Sequence, residues 1–139
     1  MRKKFSKKWK ASKQPRKQRK YLANAPINIR RVMVSANLNK LLRKKYQRRS
    51  FPLRRGDVIK IMGGRFKGKK GKINSLNMKN KRAFIDGVQI NKKDGTKVNF
   101  PIHSSNIQIQ ELNLDDKKRL NAIERKIKGR ENVQEKTNN

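Results

Sequence analysis

The chain has 139 residues, 32% hydrophobic and 36% charged, enough for one modest core but too little to pack its whole length densely. Forty-one Lys and Arg against nine Asp and Glu leave a net charge of +32, with no cysteine and one histidine, His103, which excludes disulfides, thiol catalysis and Cys/His zinc sites. A compact chain of this charge repels itself unless a polyanion neutralises it, so nucleic acid is the expected partner ahead of a membrane surface. No stretch approaches the ~18 to 20 apolar residues of a spanning helix and the first residues lack a signal-peptide core, so no membrane insertion and a reducing, cytoplasmic setting are expected.

Residues 1–23 read as a basic arm, rich in Lys and Arg and without an acid; the first acidic residue of the chain is Asp57. Such a run buries too little apolar surface to offset its ordering entropy, so alone it is expected to be disordered. Phe5, Trp9 and Tyr21 interleave the charges and offer faces on which bases can stack. In residues 24–53, Pro26 suits the first position of a helix whose stripe is Ile29, Val32, Met33 and Ala36. Asn37 suits the N-cap of a second helix with Leu38, Leu41, Leu42 and Tyr46 on one face. Arg48 to Arg55 then form a basic connector, extended before Pro52.

Residues 54–112 carry the most organised pattern. Val58 to Met62 is β-branched and aliphatic and reads as a strand; a basic loop with Gly63, Gly64, Gly68 and Gly71 follows; Lys72 to Leu76 resumes a strand. The glycines suit positions needing φ > 0 or close approach of another backbone. Gly63 to Lys69 satisfies most of a nucleotide-binding P-loop, but Lys70 replaces the magnesium-binding hydroxyl residue and no helix follows, so nucleotide hydrolysis is set aside. Gly56, Asp57, Ile59, Gly64, Lys67, Gly68, Gly71 and Ile73 instead resemble the KOW motif of small SH3-like barrels. Phe66 within the loop reads as a barrel plug, with an exposed stacking group as the alternative.

Further along, Arg82 to Asp86 reads as a strand broken by Gly87. Val88 and Ile90, then Val98, Phe100 and Ile102, alternate about Lys92-Lys93-Asp94-Gly95, a strong hairpin signal with a basic tip that includes Lys97. Asn106 to Glu111 reads as the closing strand, with His103 at a strand end or loop. About five short strands of this kind can curl into a small, mostly β barrel. In residues 113–139, Asp115 and Asp116 mark a helix start; Leu120, Ile123 and Ile127 form its stripe and Gly129 its end, before a polar tail. Asp57, Asp86 and Asp94 stand at turns and strand ends without a nucleophile and base beside them, so no enzyme is expected; a His/Lys ribonuclease is the weak alternative.

The segments KQPRKQRKYLANAPINIRR and SANLNKLLRKKYQRRSFPLRRGD resemble the N-terminal extension of the large-subunit ribosomal protein twenty-four family in its archaeal and eukaryotic form, the eukaryotic member being counted twenty-six. The resemblance runs from about Lys13 to about Glu111 and tilts the source toward an archaeon. It implies a structural constituent of the large ribosomal subunit that binds large-subunit rRNA early in assembly, near the peptide exit, with neighbouring ribosomal proteins as partners. No cofactor, metal or homo-oligomer is expected. From charge and expected position, the RNA-facing residues are Arg16, Lys17, Arg19 and Lys20 of the arm; Arg30 and Arg31; Arg48, Arg49, Arg54 and Arg55 of the connector; Arg65, Lys67, Lys69, Lys70 and Lys72 of the loop; and Lys92 and Lys93 of the hairpin. Gly64, Gly68 and Gly71 are the motif glycines. A transcription elongation or RNA-processing factor with the same barrel, and a DNA condenser, are the competing functions.

Overall fold

The computed structural model describes residues 5–125. Nine strands alternate with short helices: α1 (Pro15–Asn24), α2 (Ile27–Met33), β1 (Ser35–Leu38), α3 (Lys40–Tyr46), β2 (Ser50–Pro52), β3 (Val58–Ile61), β4 (Lys70–Asn77), β5 (Arg82–Ile85), β6 (Gln89–Asn91), β7 (Lys97–Asn99), β8 (Ile102–His103) and β9 (Ile107–Glu111). A final helix, α4, occupies 117–125. One mixed sheet runs β2-β1-β9-β3-β4-β5-β8, and β6 and β7 form a separate hairpin.

Strands β1, β3, β5 and β9 alternate, whereas β4 fully buries only Ile73 and shifts register between Ile73 and Ser75. Ala36 and Leu38, Ile59 and Ile61, Ala83 and Ile85, and Ile107 and Ile109 are all buried, each pair separated by the two-residue period that puts side chains on one face. Burying an isoleucine or leucine stabilises by roughly 1.5–3 kcal/mol, so this inner face carries the fold. Val34, Phe51, Leu53, Ile73, Val88 and Ile102 complete the same core, and Ile123 of α4 reaches it from outside. The result is the small, barrel-like, mostly β fold expected from the alternation.

The N-terminal third departs from expectation. Residues expected on two helical stripes are split: α2 ends at Met33, and Ala36 and Leu38 lie in β1, which pairs parallel to β9 and antiparallel to β2. Pro26 precedes α2 as its N-cap, and Asn39 rather than Asn37 caps α3. Val32 and Leu41 are consequently 64% and 74% exposed. The reason is non-local: Val34, Ala36 and Leu38 also share a two-residue period, and pairing with β9 satisfies both their backbone and their side chains, which outweighs weak helix propensity.

The arm differs too. A 3-10 turn at Lys7–Ala11 precedes α1, which Pro15 opens. The Gln18 side-chain amide donates to the carbonyls of Trp9, Lys10 and Ser12 at 3.2, 3.0 and 2.6 Å, tying turn to helix. The expected stripe residue Ile127, the stop at Gly129 and the polar tail lie outside the described residues.

Candidate nucleic-acid interface

The β3–β4 connection is a basic loop held from inside. Gly64 and Gly68 have φ of 84° and 89°, in the left-handed region where a side chain is strained. The Gly68 N–H bonds the Ile61 carbonyl at 2.8 Å and the Ile61 N–H bonds the Lys69 carbonyl at 2.9 Å. Phe66 is buried, its ring 5.3 Å from that of Phe100; it is the plug, not a free stacking group. With the aromatic turned inward, Arg65, Lys67, Lys69 and Lys70 all face solvent, and Lys72 is exposed farther along β4. Gly71 serves a different need: a Cβ there would meet the Asp86 carbonyl oxygen and Ile85 Cγ2 at 2.8 Å, so β5 lies against β4 where only hydrogen fits.

Strand register extends the basic surface beyond the loop. Lys60 on β3 stands opposite Lys70 on β4, and opposite Gln108 on β9, which in turn stands beside Asn37 on β1. Lys60, Gln108 and Asn37 alternate with buried neighbours along their strands and Lys70 is exposed, so the four form one row across the outer face. The flanking pairs carry the ladder hydrogen bonds, Ile61 with Lys69 and Ile73 with Asp57. Lys60 and Lys70 therefore form the non-hydrogen-bonded kind of pair, in which side chains come closest. Like charges so placed repel, and an anion over the row removes the repulsion. Lys60 was missed in the sequence; its position between Ile59 and Ile61 was the available signal, since alternation puts it outward beside the loop lysines.

The β6–β7 hairpin rises next to the loop, because Phe100 at its base packs on Phe66. The Phe100 N–H bonds the Val88 carbonyl at 2.9 Å, anchoring the hairpin to the core. At the tip, Asp94 accepts from the Thr96 hydroxyl at 2.7 Å and backbone N–H at 3.0 Å. These bonds, the hydroxyl first, hold its carboxyl below the ordinary range. Lys92, Lys93 and Lys97 are exposed around this turn.

In the arm, Arg16, Lys17, Arg19 and Lys20 are exposed on α1. Its aromatics are only partly available: Phe5 stacks on Tyr21 at 5.2 Å and Tyr21 is buried, while Lys20 lies 5.6 Å over the Trp9 ring. Aromatic contact thus orders a segment whose charge alone argues for disorder.

Several expected RNA contacts also serve the fold. Arg30 donates to the Ala23 carbonyl at 2.6 Å. Arg48 lies 4.7 Å over the Phe51 ring and donates to the Ala122 carbonyl at 3.2 Å; burial pulls its guanidinium below its ordinary pKa. Arg54 pairs with Asp116, whose carboxyl is held low by the Lys118 backbone N–H and then by Arg54. Arg31, Arg49 and Arg55 are exposed. His103 caps a short turn, its Nδ1 2.9 Å from the Ser105 hydroxyl.

The acidic residues show no catalytic grouping among the described residues. Asp57, fully buried, takes both terminal nitrogens of Arg119 at 2.7 and 2.8 Å and accepts the Arg54 and Asn113 backbone N–H groups at 2.8 and 2.9 Å. Arg119 also donates to the Asn113 and Pro52 carbonyls and lies over Phe51, opposite in role to the solvent-facing arginines. This pair fastens α4 to the barrel. The sequence offered Asp57 as a turn residue and a motif position, and nothing local marked Arg119 as its partner.

Comparison with known proteins agrees with this architecture. A family model that describes the eukaryotic L26 and archaeal L24 ribosomal proteins matches residues 12–126. The large ribosomal subunit protein uL24 of Methanosphaera stadtmanae is similar, 45% identical over 116 residues that make up 84% of this chain and 99% of that protein. With a family match over residues 12–126 and a relative aligned over 84% of its length, the chain belongs to the family of eukaryotic L26 and archaeal L24 ribosomal proteins.

Proposed function

We propose that this protein is a structural, non-enzymatic constituent of the large ribosomal subunit in the cytoplasm, binding large-subunit rRNA as a single copy among neighbouring ribosomal proteins. Its loop, outer sheet face and hairpin neutralise phosphates where RNA segments approach closely, releasing counterions as they bind. The observation that carries this reading is the inward-turned Phe66, which leaves Arg65, Lys67, Lys69 and Lys70 outward beside the opposed Lys60. The arm and the connector, through Arg16, Lys17, Arg19, Lys20, Arg31, Arg49 and Arg55, extend the contact. Shape, unpaired bases and 2′-hydroxyls supply specificity, because side chains do not readily read an A-form major groove. Family membership adds support for early binding in assembly and a place near the peptide exit.

If about ten cations meet phosphates, log K falls with log salt at a slope of about −7 to −9. The variant Lys67→Glu/Lys69→Glu/Lys70→Glu tests the loop: RNA affinity drops and the salt slope flattens while circular dichroism reports an unchanged barrel. Unchanged affinity in a folded variant removes the loop from the interface. Crosslinking in native lysate with sequencing tests the assignment as a whole. Reads confined to neighbouring segments of large-subunit rRNA support it, whereas reads spread over nascent transcripts or DNA favour an elongation factor or condenser.

A further inference from the structure

At the end of β3 and β4 opposite the glycine loop, four chain segments enclose an open groove of about 930 Å³. It lies between α2, the approach to β3, the end of β4 and the start of α4. Arg31 and Arg55 stand on its walls with Lys118, all exposed. Arg54 stands there too, but Asp116, the one acid in the lining, already holds it. Arg31, Arg55 and Lys118 make no side-chain ion pair among the described residues, although the charge of Arg31 also helps to hold the Asp116 carboxyl low, and all three converge on the space.

The floor is of another kind. Leu76 and Met78 are half-buried against the core, and Ile27 at the rim is 72% exposed. Asn28 and Ser75 stand beside them and offer both hydrogen-bond donors and acceptors. We propose that this groove takes one unpaired nucleotide of RNA, the base lying on Leu76 and Met78 with its edge toward Asn28 and Ser75, and the adjoining phosphates against Arg31, Arg55 and Lys118. The inference rests on the RNA-binding reading and adds a second contact of different character at the far end of the barrel.

The chemistry favours a nucleotide over an acidic peptide. An acidic side chain needs donors only and has no flat face for Leu76 and Met78, whereas an unstacked base brings a flat face together with an edge of donors and acceptors. A duplex presents no apolar face to a floor of this kind; an unstacked base does. The volume also lies within the range of small-ligand sites.

The test uses the full chain with two probes, a large-subunit rRNA transcript and an RNA duplex of about 20 base pairs, long enough to span a double-stranded binding face. The variant Asn28→Leu/Ser75→Ile changes no charge and fills the groove with aliphatic atoms. Its affinity for the transcript is expected to fall about fivefold or more, in keeping with one lost base contact, while its duplex affinity stays unchanged. Equal losses on both probes, or no loss in a variant whose circular dichroism is unaltered, overturn the proposal. Photocrosslinking the unmodified chain to a thiouridine-substituted transcript decides independently of folding. Nucleotide adducts within 74–78 or 27–31 support the groove; adducts confined to 64–72, or a ribosomal protein crosslinked at 74–78 in intact subunits, overturn it. The groove alone has failed when the loop triple variant weakens both probes and the groove variant weakens neither. The RNA reading itself has failed when the unmodified chain binds neither probe.

Discussion

The glycine loop and the Asp57–Arg119 clasp use the same kind of side chain for opposite purposes. In the loop, a buried aromatic turns the cations outward, and one like-charge pair, Lys60 against Lys70, is left opposed across the ladder. In the clasp, one arginine from a basic helix goes inside, where a carboxylate, two carbonyls and the Phe51 ring receive it. In a chain of net charge +32, the acids are scarce, and the one at the barrel's opening turn is spent on a partner 62 residues away. Partners in the fold, not residue type, separate the cations that hold it together, Arg119 on a carboxylate and Arg48 on a carbonyl and the Phe51 ring, from those that stay exposed.

The contrast is sharpest where one partner is removed. Asp57→Ala leaves Arg119 charged and buried, and with it the Arg54 and Asn113 N–H groups lose their acceptor. A loss of about 3–5 kcal/mol in urea unfolding is expected, as for other broken buried pairs. Asp57→Leu/Arg119→Met should recover much of it, since an apolar pair of similar volume carries no uncompensated charge. A single variant no less stable than the parent in urea shows that the clasp does not fasten α4.

The glycines test the loop side. Gly71→Ala forces a Cβ into the Asp86 carbonyl and Ile85, and a loss of about 1–3 kcal/mol is expected from overpacking. Gly68→Ala meets no atom within 4 Å but holds φ at 89°, so its expected cost, about 1–2 kcal/mol, comes from backbone strain alone. Thermal denaturation ranks the two, and RNA affinity separates them further, because Gly68 shapes the exposed loop and Gly71 only the sheet.

Lys60→Gln should act in opposite directions on stability and binding. Removing the like charge opposite Lys70 raises stability by about 0.2–1 kcal/mol, while the RNA salt slope shrinks by about one contact. A variant that gains stability and keeps its full slope places the outer face away from RNA.

The smallest effect concerns pH. Asp116 has a depressed carboxyl pKa in the folded chain, so its contribution is present above the unfolded carboxylate pKa and fades as pH falls through the folded one. Asp116→Asn should flatten the acid limb of a melting-temperature profile slightly and leave the neutral region unchanged. The pair it forms with Arg54 is still reached by solvent, with side chains 44% and 21% exposed, which keeps the effect small.

Much of the barrel was legible because its signals are local. The alternation of Ile59 with Ile61 and Ile107 with Ile109, the Asp-Gly turn and the spaced glycines each act within a few residues. The arm and the segment around Ala36 escape a local reading for the converse reason. Tyr21 is ordered by Phe5 from outside its own helix, and β1 exists because β9 and β2 flank it; neither neighbour can be seen from the window that contains the residue.

Composition and short-range pattern therefore determined by themselves that this is a strongly basic chain with one small β core and a basic glycine loop, since charge counts and two-residue periods need no partner to be read. Only the tertiary structure decided which cations are exposed, that Lys60 joins the loop's surface and that Arg119 is buried. Those outcomes depend on strand register and on one carboxylate reached across 62 residues, and burial energies attach to neighbours in space, not in sequence.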